Sequence, residues 1–247
     1  MRATDVAEQK GMDVTSWTIT ERIDLGGVRP EGDLTIAEHA TGVVLFAHRS
    51  GGSRQSPRRQ AVARELNRRG FATLLADLLA PEEDTGAGGL EIGLLADRLV
   101  TMIDWVRLHP ATAGLPLGLF GAGAGTAAAL VAAVTRPDAV RAVVSRSGRP
   151  DLAGPALIEV EAPTLLIAGE RDEAVLALNE EARNTMRVHA ELRIIPGATR
   201  RFEEPGALDS VAEEAAEWFG SFLTPAMRRP AGRHPALQHL AVARRWD

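Results

Sequence analysis

The chain has 247 residues, 45% hydrophobic and 25% charged, which is enough to bury one sizeable core and too apolar for a disordered chain. A formal charge of −5 with no long basic stripe argues against a nucleic-acid partner, and the absence of cysteine removes disulfides, thiolate metal sites and a cysteine nucleophile together. No apolar run reaches the ~18 residues of a membrane span and Met1–Lys10 lacks the apolar stretch of a signal peptide, so a cytoplasmic protein with no membrane partner is expected.

Taken in chain order, two alternating segments near Ser16–Asp24 and Asp33–Glu38 predict strands that form an antiparallel edge. Gly42–His48 is a continuous apolar run, as in a strand buried on both faces of a parallel sheet. A helix-period segment, Arg58–Arg69, ends at Gly70. Strands are then expected at Ala72–Asp77, Leu115–Phe120, Arg141–Ser145, Ala162–Ala168 and Glu191–Ile195, and helices at Glu91–Leu108, Gly125–Thr135, Glu173–Val188 and Leu208–Phe222. This alternation predicts a mostly parallel eight-stranded sheet flanked by helices. The irregular insertions Leu78–Leu90 and Gly148–Glu161 are too short for a separate lid domain, so loops would roof the pocket. Residues 1–15 and 224–247 read as tails around a domain at 16–223, with Trp246 a hint that the second tail docks.

The most informative segment joins the apolar strand end Leu117–Phe120 to Gly121-Ala122-Gly123-Ala124-Gly125 and an alanine-rich helix. This layout resembles the strand–elbow–helix of an α/β-hydrolase, in which G-x-S-x-G holds a serine on a sharp turn. Here the central residue is Gly123, which has no atom with which to attack a carbonyl. A dinucleotide-binding reading fails because the third glycine is misplaced and Arg141 stands where an acidic residue should be. No Gly-Lys-Ser/Thr phosphate loop occurs, and His39, His48, His109, His189, His234 and His239 show no metal-ligand spacing. No cofactor and no metal are expected.

Seven segments in the right order resemble the dienelactone-hydrolase-like branch of the α/β-hydrolase superfamily over roughly Thr41–Phe222. They are Leu45-Phe46-Ala47-His48 with Ser50-Gly51, Ser56-Pro57-Arg58, Asp77-Leu78-Leu79 with Pro81-Glu82-Glu83, the elbow, Ser145-Arg146 with Gly148-Arg149-Pro150-Asp151, Gly169-Glu170-Arg171-Asp172, and Pro196-Gly197-Ala198-Thr199 with Phe202-Glu203-Glu204-Pro205. The resemblance implies a nucleophile at Gly123, an acid at Asp172 and a histidine at Arg200, of which Asp172 alone matches; Arg49 replaces a glycine of the oxyanion loop. An arginine stays protonated and cannot take a proton from a hydroxyl, so the Ser-His-Asp reaction is not expected.

The candidate catalytic residues are Asp172, His48 and Glu204, and the candidate substrate-binding residues are Arg49, Ser50, Gly123, Ala124, Arg200 and Asp77. Each has a plainer role: Asp172 pairing with Arg200, His48 satisfying local backbone groups, Glu203 and Glu204 as scaffold, and Asp77 as a helix cap. Arg49 and Arg200 beside a helix N-terminus suit an anionic or enolisable small molecule. Three functions follow: a non-hydrolytic enzyme performing cyclisation, carbon–carbon bond formation, rearrangement or elimination; a retired hydrolase acting as a binding, scaffold or regulatory subunit; and a hydrolase with a displaced nucleophile at Ser50, Ser145 or Ser147, none of which lies in an elbow pattern. A homodimer is left open.

Overall fold

Alternating side chains bury one face of the second opening strand and leave the first half-buried to exposed, and the two pair along their whole length. Strand β1 (Ser16–Arg22) runs antiparallel to β2 (Glu31–Ala37), from Ser16 opposite Ala37 to Arg22 opposite Glu31. A computed structural model describes residues 16–24, 31–48, 55–79, 83 and 92–223; the tails at 1–15 and 224–247, Trp246, Arg49 and Ser50 lie outside these residues.

Next come β3 (Gly42–Ala47), α1 (Pro57–Arg68), β4 (Phe71–Ala76), α2 (Ile92–Leu108), β5 (Leu117–Ala122) and α3 (Ala124–Thr135). The chain continues through β6 (Val140–Arg146), β7 (Thr164–Gly169), α5 (Glu173–Thr185), β8 (Ala190–Ile195) and α6 (Ala207–Leu223), with the four-residue α4 (Ala156–Glu159) before β7. The strand order is β1-β2-β4-β3-β5-β6-β7-β8, antiparallel for β1–β2 and β2–β4 and parallel elsewhere. This is the expected sheet, antiparallel edge included.

Two differences have local causes. The insertion Gly148–Glu161 carries a 3₁₀ turn at Pro150–Ala153 as well as α4, both too short to leave a readable period. Helix α5 stops at Thr185 rather than Val188 because Met186 turns to an extended backbone, φ −64° and ψ 138°.

Both sheet faces are covered. One carries Val43, Leu45, Leu119 and Val143 against α2 and α3; the other carries Val44, Phe46, Phe120 and Val144 against α1 and α6. Helix α3 is buried almost all round, which explains its run of alanines. Among the described residues no helix is long and apolar enough to cross a membrane.

Candidate functional site

The carboxyl ends of the parallel strands supply the residues of interest, as in other open α/β sheets. At the end of β5 the chain turns at once into α3 through Gly123, whose φ of 56° and ψ of −128° disfavour any residue with a side chain. Among the described residues a Cβ built there would meet nothing within 4 Å. Two residues later the opposite holds: a Cβ on Gly125 would stand 2.1 Å from the Ala47 carbonyl oxygen, so only glycine lets α3 dock this closely on β3. The Gly123 carbonyl accepts from the backbone N–H groups of Thr126 (3.2 Å) and Arg149 (2.9 Å), fixing the turn to the loop after β6. Ala124, half-buried, opens α3 beside it.

The register sets the next group. Ala47 pairs with Gly121, and Ala122 pairs with Arg146. One residue beyond Ala47, His48 stands level with Ala122 and two strand spacings, about 9–10 Å, from Arg146. By strand alternation both continue the Phe46–Phe120–Val144 face, toward α1 and α6. Arg146 lies over the Phe202 ring, 5.9 Å from its centroid. Arg59, from the first turn of α1, brings a third basic group to this face and is an electrostatic neighbour of both.

The environment of this group is unusual. His48 is only 5% exposed, and burial, followed by the fields of Arg59 and Arg146, holds its pKa well below the ordinary 6.5, so the ring is neutral at pH 7. Burial is also the main cause that brings Arg59 and Arg146 down to about 10, with Asp77 opposing the shift at Arg59; both remain cations. His48 Nδ1, Arg59 Nη1 and Arg146 Nε are all buried without a hydrogen-bond partner among the described residues. Neighbouring charges are better matched: Glu203 pairs with Arg58, and also with Arg201 at 3.1 Å.

The last two loops are stitched together. Glu170 N–H donates to the Ile195 carbonyl (3.1 Å), Arg171 N–H to that of Ala198 (2.9 Å), and the Glu170 carboxylate accepts from Gly197 N–H at 2.6 Å. This brings the segments of Asp172 and Arg200 side by side, yet no ion pair joins the two residues: Arg200 is exposed, and Asp172 Oδ2 is buried with no hydrogen-bond partner among the described residues. The expected Asp172–Arg200 pair is therefore corrected. The Thr199 hydroxyl, then backbone N–H groups, lower the Glu204 carboxyl below its ordinary range.

The structure thus brings His48 and Asp77 into one neighbourhood with Arg59 and Arg146, and places Gly123 and Ala124 at the adjacent elbow. The plain role of His48 as a satisfied backbone partner is not met at Nδ1. Arg59 and Arg146 were not singled out from sequence, although each leaves a signal. Arg146 ends a buried strand, and Arg58-Arg59 puts two cations in the first turn of a helix that has no acid there, against its dipole. Among the serines, Ser145 is bonded to Thr126 (3.0 Å), whereas Ser147 has a buried hydroxyl without a partner among the described residues and a φ of 41°.

The dienelactone hydrolase family model matches residues 32–223. The crystal structure of a dienelactone hydrolase from Anabaena variabilis ATCC 29413 is similar at 50% identity and a TM-score of 0.79, covering 85% of this chain and 99% of that one. Est1E from Butyrivibrio proteoclasticus shares the fold at 17% identity and a TM-score of 0.70, covering 82% of this chain and 98% of that one. Proteins of Mycobacterium tuberculosis named "Putative phosphoribosyl transferase" are 52% identical over 195 residues, 78% of this chain, but the chain spans only 44% of their length. With most of its length matched by the family model, the chain belongs to the dienelactone hydrolase family.

Proposed function

We propose that the protein is a non-hydrolytic member of this family that binds a small organic acid, phenol or enol and carries out a cyclisation, carbon–carbon bond formation, rearrangement or elimination. One observation carries the reading: the sharp β5–α3 turn is built, no described residue stands within 4 Å of where a side chain would begin, and the residue there is Gly123. The family's hydrolytic nucleophile would stand at this position, and Arg200 at that of its histidine. Cations at the strand ends stabilise an enolate or phenolate, with the amide groups of the α3 N-terminus adding to them. Asp172, with a buried carboxylate oxygen that has no hydrogen-bond partner among the described residues, is the proton acceptor in this reading, and His48 and Glu204 complete the catalytic set. Asp77, Ala124 and Arg200 border the ligand in this reading, and Arg49 and Ser50 remain candidates from the sequence alone.

A second reading has its own support. The mycobacterial relatives are more than twice as long as the matched region and are named for a transferase, while that region has a hydrolase-family fold. A binding or regulatory unit attached to a transferase would give this relationship, with phosphoribosyl transfer assigned to the unmatched part of those proteins.

The test is incubation with short-chain aryl esters and a dienelactone, with a fluorophosphonate label, and with a metabolite extract followed by mass spectrometry. We expect no ester turnover, no labelled serine, and a product from the extract that disappears in Asp172→Asn. Burst kinetics with label on Ser50, Ser145 or Ser147 would overturn the reading in favour of a displaced nucleophile. A bound but unconverted metabolite would favour the binding unit.

A further inference from the structure

We propose that His48, Arg59 and Arg146 form a seat for the phosphoryl group of a phosphate monoester, on the α1/α6 face of the sheet beside the elbow. The inference deepens the functional reading above, in that it names the handle by which a small-molecule substrate would be held.

The three residues come from three elements. His48 follows β3, Arg146 ends β6, and Arg59 belongs to the first turn of α1, so three separate elements bring them to one sheet face, where they act on one another electrostatically. The floor is apolar: Phe46 and Phe120 lie 4.9 Å apart beneath them, and Phe202 underlies Arg146. His48 Nδ1, Arg59 Nη1 and Arg146 Nε are each buried without a hydrogen-bond partner among the described residues. Leaving one such group unsatisfied is costly, and three together point to a missing acceptor.

Its shape follows from the donors. A carboxylate offers two oxygens in one plane, which suits one guanidinium fork. Two guanidinium groups and a His48 ring in its Nδ1–H tautomer, presented by separate elements, suit a tetrahedral anion with three terminal oxygens. Guanidinium groups are suited to phosphate because they stay charged and their N–H directions are fixed. Arg58 is taken by Glu203, and Asp77 offsets Arg59 in part, which leaves Arg146 as the cation without an assigned carboxylate in this group. The neutral His48 ring can donate one N–H to the anion or take a proton as a dianion enters. The start of α3 is near enough in the fold to face the substrate body while the phosphoryl group stays on this seat.

The probes are phenyl phosphate, inorganic phosphate and benzoate, titrated at low salt into the full chain labelled for histidine ring resonances. Phenyl phosphate is expected to move the His48 resonances and to bind at least tenfold more tightly than benzoate. Arg146→Gln and Arg59→Gln should each weaken it tenfold or more, whereas Arg141→Gln, an exposed arginine on β6, should leave it unchanged. Phenyl phosphate binding well above inorganic phosphate identifies an organic monoester as the ligand; equal binding would place a free phosphate ion on the seat and overturn the substrate claim. Benzoate binding as well as phenyl phosphate, or unchanged affinity in Arg59→Gln and Arg146→Gln with folding intact, would overturn the seat itself. Loss of product formation in Asp172→Asn is read separately, so failure of the chemistry and failure of the seat can be told apart.

Discussion

At the scale of residues, two glycines in one turn have opposite reasons to be there. Gly123 has room for a side chain but a φ of 56°, so Gly123→Ala adds backbone strain without a clash and should cost about 1–3 kcal/mol. Gly125→Ala drives a methyl against the Ala47 carbonyl, forces α3 away from β3, and should cost more than that or prevent folding. Urea unfolding of the two variants checks the ranking. His48 gives a prediction with a sign. Its pKa is depressed in the folded state, so between that value and the ordinary 6.5 the unfolded chain binds the extra proton. Stability is therefore fully present above about pH 6.5 and falls as the solution is acidified below it. The carboxyls of Glu65, Asp104 and Asp151, lowered by their arginine partners, add acid sensitivity only from about their ordinary values of 4.5 and 3.8 downward. Denaturant midpoints at pH 7 and pH 5 should differ in the wild type, and the difference should shrink in His48→Gln.

At the scale of elements, α1 is the informative case. Its existence was legible from the apolar period and Gly70, and Pro57 fits the first helical position. Its role was not, because period says which face is buried and nothing about which neighbour the first turn meets. Arg59 there opposes the helix dipole, lies near Arg146 and loses solvation. Arg59→Gln is expected to raise stability by about 0.3–1 kcal/mol, read as a higher Tm, even as it weakens phosphate binding. A lower Tm would show that the arginine serves packing more than ligand. The same limit applies to Arg200: the order of residues placed it after the last strand, beside the Asp172 loop, but whether a long side chain turns inward or to solvent depends on packing that no local pattern encodes.

At the scale of the whole molecule, the sheet was readable in advance because both of its signals are strong. Strands such as β3, β4 and β7, buried at every position, cannot be surface structure, and the intervening segments have helical length. The elbow was legible as a place in the fold, since its glycines answer to backbone geometry. The basic cluster was not, because it is assembled from β3, α1 and β6 across two strand spacings. The contact between Gly125 and the Ala47 carbonyl has a consequence for motion. With α3 seated directly on the backbone of β3, the elbow cannot swing without parting the centre of the sheet, an event as rare as global unfolding. Amide exchange at Thr126, whose N–H is bonded to the Gly123 carbonyl, would then run at the global rate. Ligand arrival and departure must accordingly be timed by groups around the elbow rather than by the elbow, and residence time becomes a property separable from the stability of the domain.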